Sequence, residues 1–526
     1  MKRGATVLET QVLIIGGGVT GTGLARDLAL RGIGCVLAEK GDINAGASGA
    51  NHGLLHSGAR YVSDDPVSAR QCMEEGEILR KVAPQCIDDR GGLFVAVRGD
   101  DERYVADFPG LCSRCGIPVR ELSPEEARER EPLLSPKLIA AYQVRDASID
   151  PFRLTLENIG HARKLGARFL PHTGVVGFER HNGILEAVRL SDRRTGTEIR
   201  IRADQVVNAS GAWAREVAAM AGASIPMVYS KGTLLVAQQR LAECVVNRLR
   251  PPSDGDILVP GGTVSILGTT SIRLDTLEEI VPSVEEVDFL VEQGSAMLPA
   301  LETMRYVRAF SGVRPLIGRV QSGDDRSLSR GFALLHHLPD GLENFITIAG
   351  GKLTTYRLMA EKAADLVTER LGISAPCRTG HEPLPPGDTC RWTEPGLSPR
   401  IWIRGHDPED GLLCECEMVS RSAVDSLVAS LQEEGFRPDL STLSLRSRIG
   451  KGACQGTFCG TQVTAYLCDR GHLEEDAGLV GLRSFLEERW KGTRSILWDR
   501  PLTQAELQEA LYCGYFCLEL REGSPQ

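Results

Sequence analysis

The stretch VLIIGGGVTGTGLARDLALRGIGCVLAEK, residues 12–40, reads as strand, glycine turn, helix and second strand. The apolar run Val12 to Ile15 leads into Gly16-x-Gly18-x-x-Gly21. In such a turn the first glycine allows the sharp bend, the second lets backbone approach a pyrophosphate, and the third lets the helix pack closely on the strand. Leu24, Leu28 and Leu30 fit a helix lying on a sheet. Glu39 closes the second strand about 20 residues on, where an acid accepts a bond from a ribose hydroxyl. A phosphate would then rest on the helix N-terminus. The unit is βαβ and predicts an α/β fold, a Rossmann-like domain with a doubly wound sheet that binds a dinucleotide. The fingerprint alone does not separate FAD from NAD.

Two later segments, VVNASGAW (206–213) and ITIAGGKLTTYR (346–357), are strands that end in small residues, suited to passing close to an extended cofactor. They put Ala209 and Gly211, and Gly350, Gly351, Leu353 and Thr354, beside it. The loop 46–61, rich in Gly, Ser and His, adds Ser48 and His52. Three such approaches suggest FAD, since NAD needs only the first fingerprint.

Between these segments the pattern predicts helices over 67–83, 102–115, 124–131 and from Pro151 to Ala162. The third opens with Ser123, Pro124 and Glu126 as a capping box. Strand-like alternation fills 173–207. Segment 226–345 carries TLLVAQ, DILVP and TVSILGTTS and predicts a β-rich substrate domain inserted in the first. The expected division is an FAD-binding domain over 8–225 with a return segment over 346–373, a substrate domain over 226–345, a linker over 374–411 marked by Pro376, Pro383, Pro385, Pro386, Pro395 and Pro399, a cysteine module over 412–470, and a C-terminal extension over 471–526.

The cysteine module holds Cys414 and Cys416 as CEC, and Cys454 and Cys459 as CQGTFC. Four thiolates can ligate a [2Fe–2S] cluster. Structural zinc more often uses CxxC pairs, so the tight CxC tilts the reading toward iron–sulfur. Cys112 and Cys115 form CSRC without a second pair nearby and read as buried thiols.

The chain of 526 residues exceeds the size at which one core suffices. Its net charge of -10 argues against nonspecific nucleic-acid binding. Fifteen cysteines spread thinly, with no signal peptide, suit a reducing compartment. No run approaches the roughly 18 apolar residues of a membrane-spanning helix, so no transmembrane segment is expected.

Taken together, GGGVTGTGLARDLALRG, GANHGLLHSGARY, NASGAW, GTTS, FSGVRPL and AGGKLTTYR resemble the FAD-dependent glycerol-3-phosphate dehydrogenases over residues 11–371. The cysteine module resembles the bacterioferritin-associated-ferredoxin-like [2Fe–2S] domain. The combination, with FLEERWKG at 485–492, resembles the catalytic subunits of the family's anaerobic, multi-subunit members. That resemblance implies oxidation of sn-glycerol 3-phosphate to dihydroxyacetone phosphate. It further implies electrons leaving through the cluster to electron-transfer and membrane-anchoring partner subunits and to quinone, at the cytoplasmic face of the bacterial inner membrane. It implies Arg60, Tyr61, Thr269, Arg314, Arg330 and Lys352 as substrate-binding residues, their cations suited to a phosphate dianion. Arg314 or Lys352 would also stabilise oxygen charge at C2. Many relatives carry histidine in a KGxH motif, but here Lys231, Gly232 and Thr233 precede Leu234. His56 and His52 are the remaining candidates for the base, with His56 the catalytic candidate carried forward. A flavin oxidoreductase of amino or 2-hydroxy acids, and a non-enzymatic iron–sulfur carrier, are the alternatives.

Overall fold

The structure is a computed structural model that describes residues 6–278, 280–318, 331–516 and 518. Its first sheet has eight strands. The glycine-turn strand Thr6–Ile15 lies at the centre, parallel to Glu198–Asn208 on one side and to Cys35–Ala38 on the other. Arg168–Leu170 extends the parallel run beyond Cys35–Ala38, and Phe345–Gly350 extends it beyond Glu198–Asn208. Alternation along the central strand explains the two layers. Val12 and Ile14 pack with Leu24 and Leu28 of the helix Val19–Leu30 and with Met359 and Ala363 of the helix Tyr356–Leu371. Leu13 and Ile15 face the opposite core, with Val206, Ala218 and Phe345. The sheet is doubly wound, as the opening motif predicts.

The expected helices are present as Pro66–Val82, Glu102–Arg114, Pro124–Arg130 and Pro151–Lys164, and Ser123 with Glu126 closes the capping box. Cys112 and Cys115 are buried thiols among Phe94, Phe108 and Tyr142.

The second sheet has nine strands and draws on both sides of the expected boundary at 225. Met227–Ala237, Val245–Arg248, Ile257–Gly261, Val264–Gly268, Ile272–Leu274 and Tyr306–Ile317 are joined by Gly92–Val97, Arg120–Leu122 and Leu138–Val144. The joint is the parallel pairing of Val245–Arg248 with Gly92–Val95. In the other direction, Phe332–His336 pairs with Phe345–Gly350 and so belongs to the first sheet.

Residues 374–411 form a packed strap where the prolines suggest a loose linker. Arg31 donates to the Ala375 carbonyl, and Arg26 donates to those of Glu382 and Pro383. Proline offers no N–H to a ladder, so an extended proline-rich strand must satisfy its carbonyls elsewhere. Leu384, Cys390 and Trp392 are buried, and Leu397–Gly405 is helical.

The C-terminal unit is helical apart from a short ribbon, Leu412–Cys414 with Val419–Ser420. It docks on the first domain through Arg446 with Asp42, Arg163 with Glu434 and Phe169 against Phe436.

Candidate active site

Both sheets border one cavity of about 1280 Å³. At one end lies the glycine turn. Gly16 sits at φ 117°, and a Cβ there would fall 2.5 Å from the Ala209 carbonyl oxygen, so only glycine serves. A Cβ on Gly21 would overlap the Gly16 carbonyl, which is why the helix can start so close to the strand. The first turn of that helix has no acidic residue, and its Val19 N–H donates to Ser48 Oγ at 3.0 Å. This leaves an N-terminus with positive character at the cavity wall. Glu39 accepts from the N–H groups of Gly17 at 2.6 Å and Gly41 at 2.8 Å. Burial raises its carboxyl and the two N–H groups oppose that rise. Nearby, Lys40 Nζ lies 3.4 Å over the Trp213 ring, and burial lowers its ammonium to about 8.

Arg60, Arg314 and Lys352 put cations on the same cavity, which Tyr61 and Thr269 also border. Arg314 donates to the Thr270 carbonyl at 3.2 Å and is hydrogen-bonded to Thr269 Oγ1. A Cβ on Gly232 would sit 2.8 Å from the Arg314 guanidinium carbon, so the KGT segment makes room for that side chain. Arg60 is held by the Ser253 carbonyl at 2.8 Å and by buried Asp256 at 3.2 Å, which also pairs with Arg250. Lys352 Nζ lies 4.6 Å over the Tyr61 ring. Tyr61 Oη is 3.3 Å from His56 Nε2.

Of the expected residues, Gly16, Gly18, Glu39, Ser48, His52, His56, Ala209, Gly211, Gly350, Gly351 and Leu353 line this same cavity. Gly21 and Thr354 do not: Gly21 packs the helix, and Thr354 Oγ1 accepts from the His56 backbone N–H at 3.1 Å. Arg330 lies outside the described residues. Leu234, at the last position of the KGxH pattern, also lines the cavity. Sequence reasoning missed Asp256 and buried Glu286. Glu286 pairs with Lys231 at 2.9 Å and accepts from Thr233 and Thr270 at 2.7 Å each. No spacing marks either one.

The two histidines are electrostatically similar. Burial first, then Arg314 and Arg60, lowers His52 to about 3. Burial, His52, Lys352 and Arg60 hold His56 well below the ordinary histidine range. His52 Nε2 is buried and has no hydrogen-bond partner among the described residues. Both rings are therefore neutral at neutral pH. An unfolded histidine takes up its proton near 6.5, whereas folded His52 waits until about 3. The stability His52 contributes is thus present above 6.5 and is lost as pH falls toward 3, by about 1.4 kcal/mol per pH unit. His52→Asn should flatten the loss of urea stability between about pH 6 and 5 by that amount. An unchanged slope would contradict the neutral buried ring.

In the cysteine module, Cys414 and Cys459 are buried, Cys454 is half-buried and Cys416 is exposed. Cys416 Sγ lies 3.3 Å from Cys454 Sγ, and Cys459 is hydrogen-bonded to both Cys414 and Cys454. The N–H groups of Glu417 and Gly450 point at Cys414, and those of Gly456 and Phe458 point at Cys454. The Cys459 hydrogen bond, ahead of the N–H groups, pulls Cys454 down to about 4, and Cys459 is driven up in return. Among the described residues no group of three or more His, Cys, Asp or Glu is arranged to hold a single metal ion. The sulfurs make a chain of pairwise contacts, and a set of four thiols supplied with N–H donors matches the needs of a two-iron cluster. At the other site, the glycine turn, Glu39 in the cavity wall and the long cavity match the needs of FAD.

Comparison with known proteins agrees with this geometry. Residues 11–366 match the family model "FAD dependent oxidoreductase". The chain is 40% identical, over 97% of its own length and 97% of the relative's, to the anaerobic glycerol-3-phosphate dehydrogenase A subunit of Escherichia coli K12. It is 39% identical to the corresponding A1 subunit of Haloferax volcanii, over 96% of this chain and 90% of the relative. The solved glycerol-3-phosphate dehydrogenase from Bacillus halodurans, complexed with FAD, superposes with a TM-score of 0.64 at 22% identity, covering 94% of this chain and 97% of that one. L-proline dehydrogenase from P. horikoshii shares the fold over 70% of this chain and 95% of its own, with a TM-score of 0.57 at 24% identity. The chain belongs to the FAD-dependent oxidoreductases and, within them, to the family of anaerobic glycerol-3-phosphate dehydrogenase A subunits.

Proposed function

We propose that this protein oxidises sn-glycerol 3-phosphate to dihydroxyacetone phosphate with FAD in the long cavity and a [2Fe–2S] cluster on Cys414, Cys416, Cys454 and Cys459. The observation that carries the reading is that Arg60, Arg314 and Lys352 line the same cavity as the glycine turn and lie close enough to act on His52 and His56 in it. Convergent cations suit a phosphate dianion, which an amino acid or 2-hydroxy acid lacks. Bound there, FAD would supply the hydride acceptor, and the cluster would supply a one-electron outlet.

The chain's own residues do the rest. Arg60, held by Asp256, and Lys352 bind the phosphate, with Arg330 as a further contact. Arg314 faces the oxygen on which charge develops and stabilises it. His52 or His56 takes the hydroxyl proton. His52 is favoured because its Nε2 is unpartnered, whereas His56 Nε2 meets Tyr61. Their low basicity comes in part from the surrounding cations. A bound dianion offsets those charges and raises the base when substrate arrives.

The two sheets and the helical unit support the division into FAD, substrate and cluster domains. No helix among the described residues is long and apolar enough to cross a membrane. Attachment at the cytoplasmic face and delivery of electrons to quinone would run through the partner subunits that the name of the Escherichia coli relative implies.

Steady-state turnover with a one-electron dye tests the substrate. Glycerol 3-phosphate should exceed glycerol by at least about 10³-fold in kcat/KM, because glycerol lacks the dianion that the cations would hold. Proline, glycine or lactate turning over faster than glycerol 3-phosphate would support the rival reading.

A further inference from the structure

The helix Glu475–Arg494 joins the thiol loop to the substrate sheet. Its Phe485 fills the space beside Gly450 and Gly456, where a Cβ would lie 2.6 Å and less from the ring. One turn on, the Arg489 guanidinium lies 4.9 Å over that same ring. It donates to Gln455 Oε1 and Ser444 Oγ at 3.3 Å each. Gln455 follows Cys454 and donates in turn to the Gly452 carbonyl at 2.9 Å, while Ser444 donates to the Ile449 carbonyl at 2.8 Å. Arg489 therefore grips both sides of the ligand loop through neutral acceptors. Three residues further, Gly492 abuts Arg308 on the strand Tyr306–Ile317: a Cβ there would be 3.0 Å from Arg308 Nε. That Nε is buried with no hydrogen-bond partner among the described residues.

Arg489 thus stands beside the thiols with Arg308 close to it; among the described residues neither pairs with a carboxylate within 4.0 Å, and the carboxylate whose charge acts on both is exposed Glu488, which pairs with Lys491 at 3.3 Å. Burial and the Arg308 charge hold Arg489 down at about 9, while Cys459, Glu488 and Cys454 pull the other way. At neutral pH it stays charged. An exposed carboxylate already paired with Lys491 offsets little of the cost of two neighbouring buried charges, and a further anion in the site would offset more. A two-iron, two-sulfide cluster on four thiolates is a dianion when oxidised and a trianion when reduced, so it would be such an anion.

We propose that Arg489, assisted by Arg308, is the fixed counter-charge of the cluster and holds its reduction potential high enough to take electrons from the flavin. The inference rests on the iron–sulfur reading. It makes Arg489 a positioning and potential-setting residue of the FLEERWKG segment that the substrate chemistry leaves unused. The cation favours the trianion more than the dianion, so its loss should make reduction harder.

The test is a redox titration of the purified full chain, following the electron-paramagnetic signal of the reduced cluster. Iron and acid-labile sulfide are measured first. Their absence from the parent protein would overturn the cluster reading, and this inference with it. With the cluster present, Arg489→Met should lower the one-electron reduction constant about tenfold, which is about 59 mV more negative. Arg489→Lys should recover most of that shift, and the flavin potential should not move. Should Arg489→Met fail to fold or to retain iron, Arg308→Met decides, with a shift of the same sign expected. An iron-replete Arg489→Met or Arg308→Met protein with the parent potential overturns the proposal.

Discussion

Arg314→Ala is expected to lower kcat for glycerol 3-phosphate by about 10²–10³-fold while leaving flavin content at the parent level. Losing one donor aimed at developing oxygen charge typically costs that much. The side chain is preset for such a role: it is held by the Thr270 carbonyl and Thr269, with Gly232 leaving room beside it. The loss should fall on the reductive half-reaction in single-turnover measurements. Arg314→Lys should recover part of it, since a lysine keeps the charge but not the fork geometry. A variant with parent kcat and raised KM alone would assign Arg314 to ground-state phosphate binding.

Gly18→Val is expected to yield a folded, colourless protein with at least about tenfold less FAD, because the second glycine of the turn is where backbone meets pyrophosphate. Gly18 has φ -75°, which any residue adopts, and a Cβ there meets only Ser48, its Oγ at 3.0 Å. The valine therefore needs no unusual backbone, and Ser48, which accepts the Val19 N–H, must give by a few tenths of an ångström. Gly16 gives no such clean test, since its φ of 117° penalises every side chain. Absorbance at the flavin band against protein, with circular dichroism for the fold, reads the result. Parent flavin content in folded Gly18→Val would contradict this placement.

What could be read from the chain was local. The glycine turn and the capping box at Ser123 each depend on residues within one or two elements, and each took the expected form. The cysteines were legible because thiols are rare enough for their spacing to stand out, and all four sulfurs lie in one chain of contacts. The second sheet was harder. Its joint pairs Val245–Arg248 with Gly92–Val95, strands about 150 residues apart, and nothing local marks such a pairing. Prolines misled over 374–411, because their rigidity suits a packed strap as well as a spacer once Arg26 and Arg31 supply donors. Asp256, which anchors Arg60, sits among turn residues whose composition signals only a loop. His56 stood out as readily as His52, and the orphaned Nε2 that separates them exists only in three dimensions.

The most direct measurement is an anaerobic titration of the purified protein with sn-glycerol 3-phosphate, recording the flavin band and the electron-paramagnetic spectrum together. The flavin should bleach and a reduced two-iron signal should follow, whereas an equal concentration of glycerol should leave both unchanged. A flavin that stays oxidised with glycerol 3-phosphate, or bleaches equally with glycerol, would contradict a site built for the phosphate dianion.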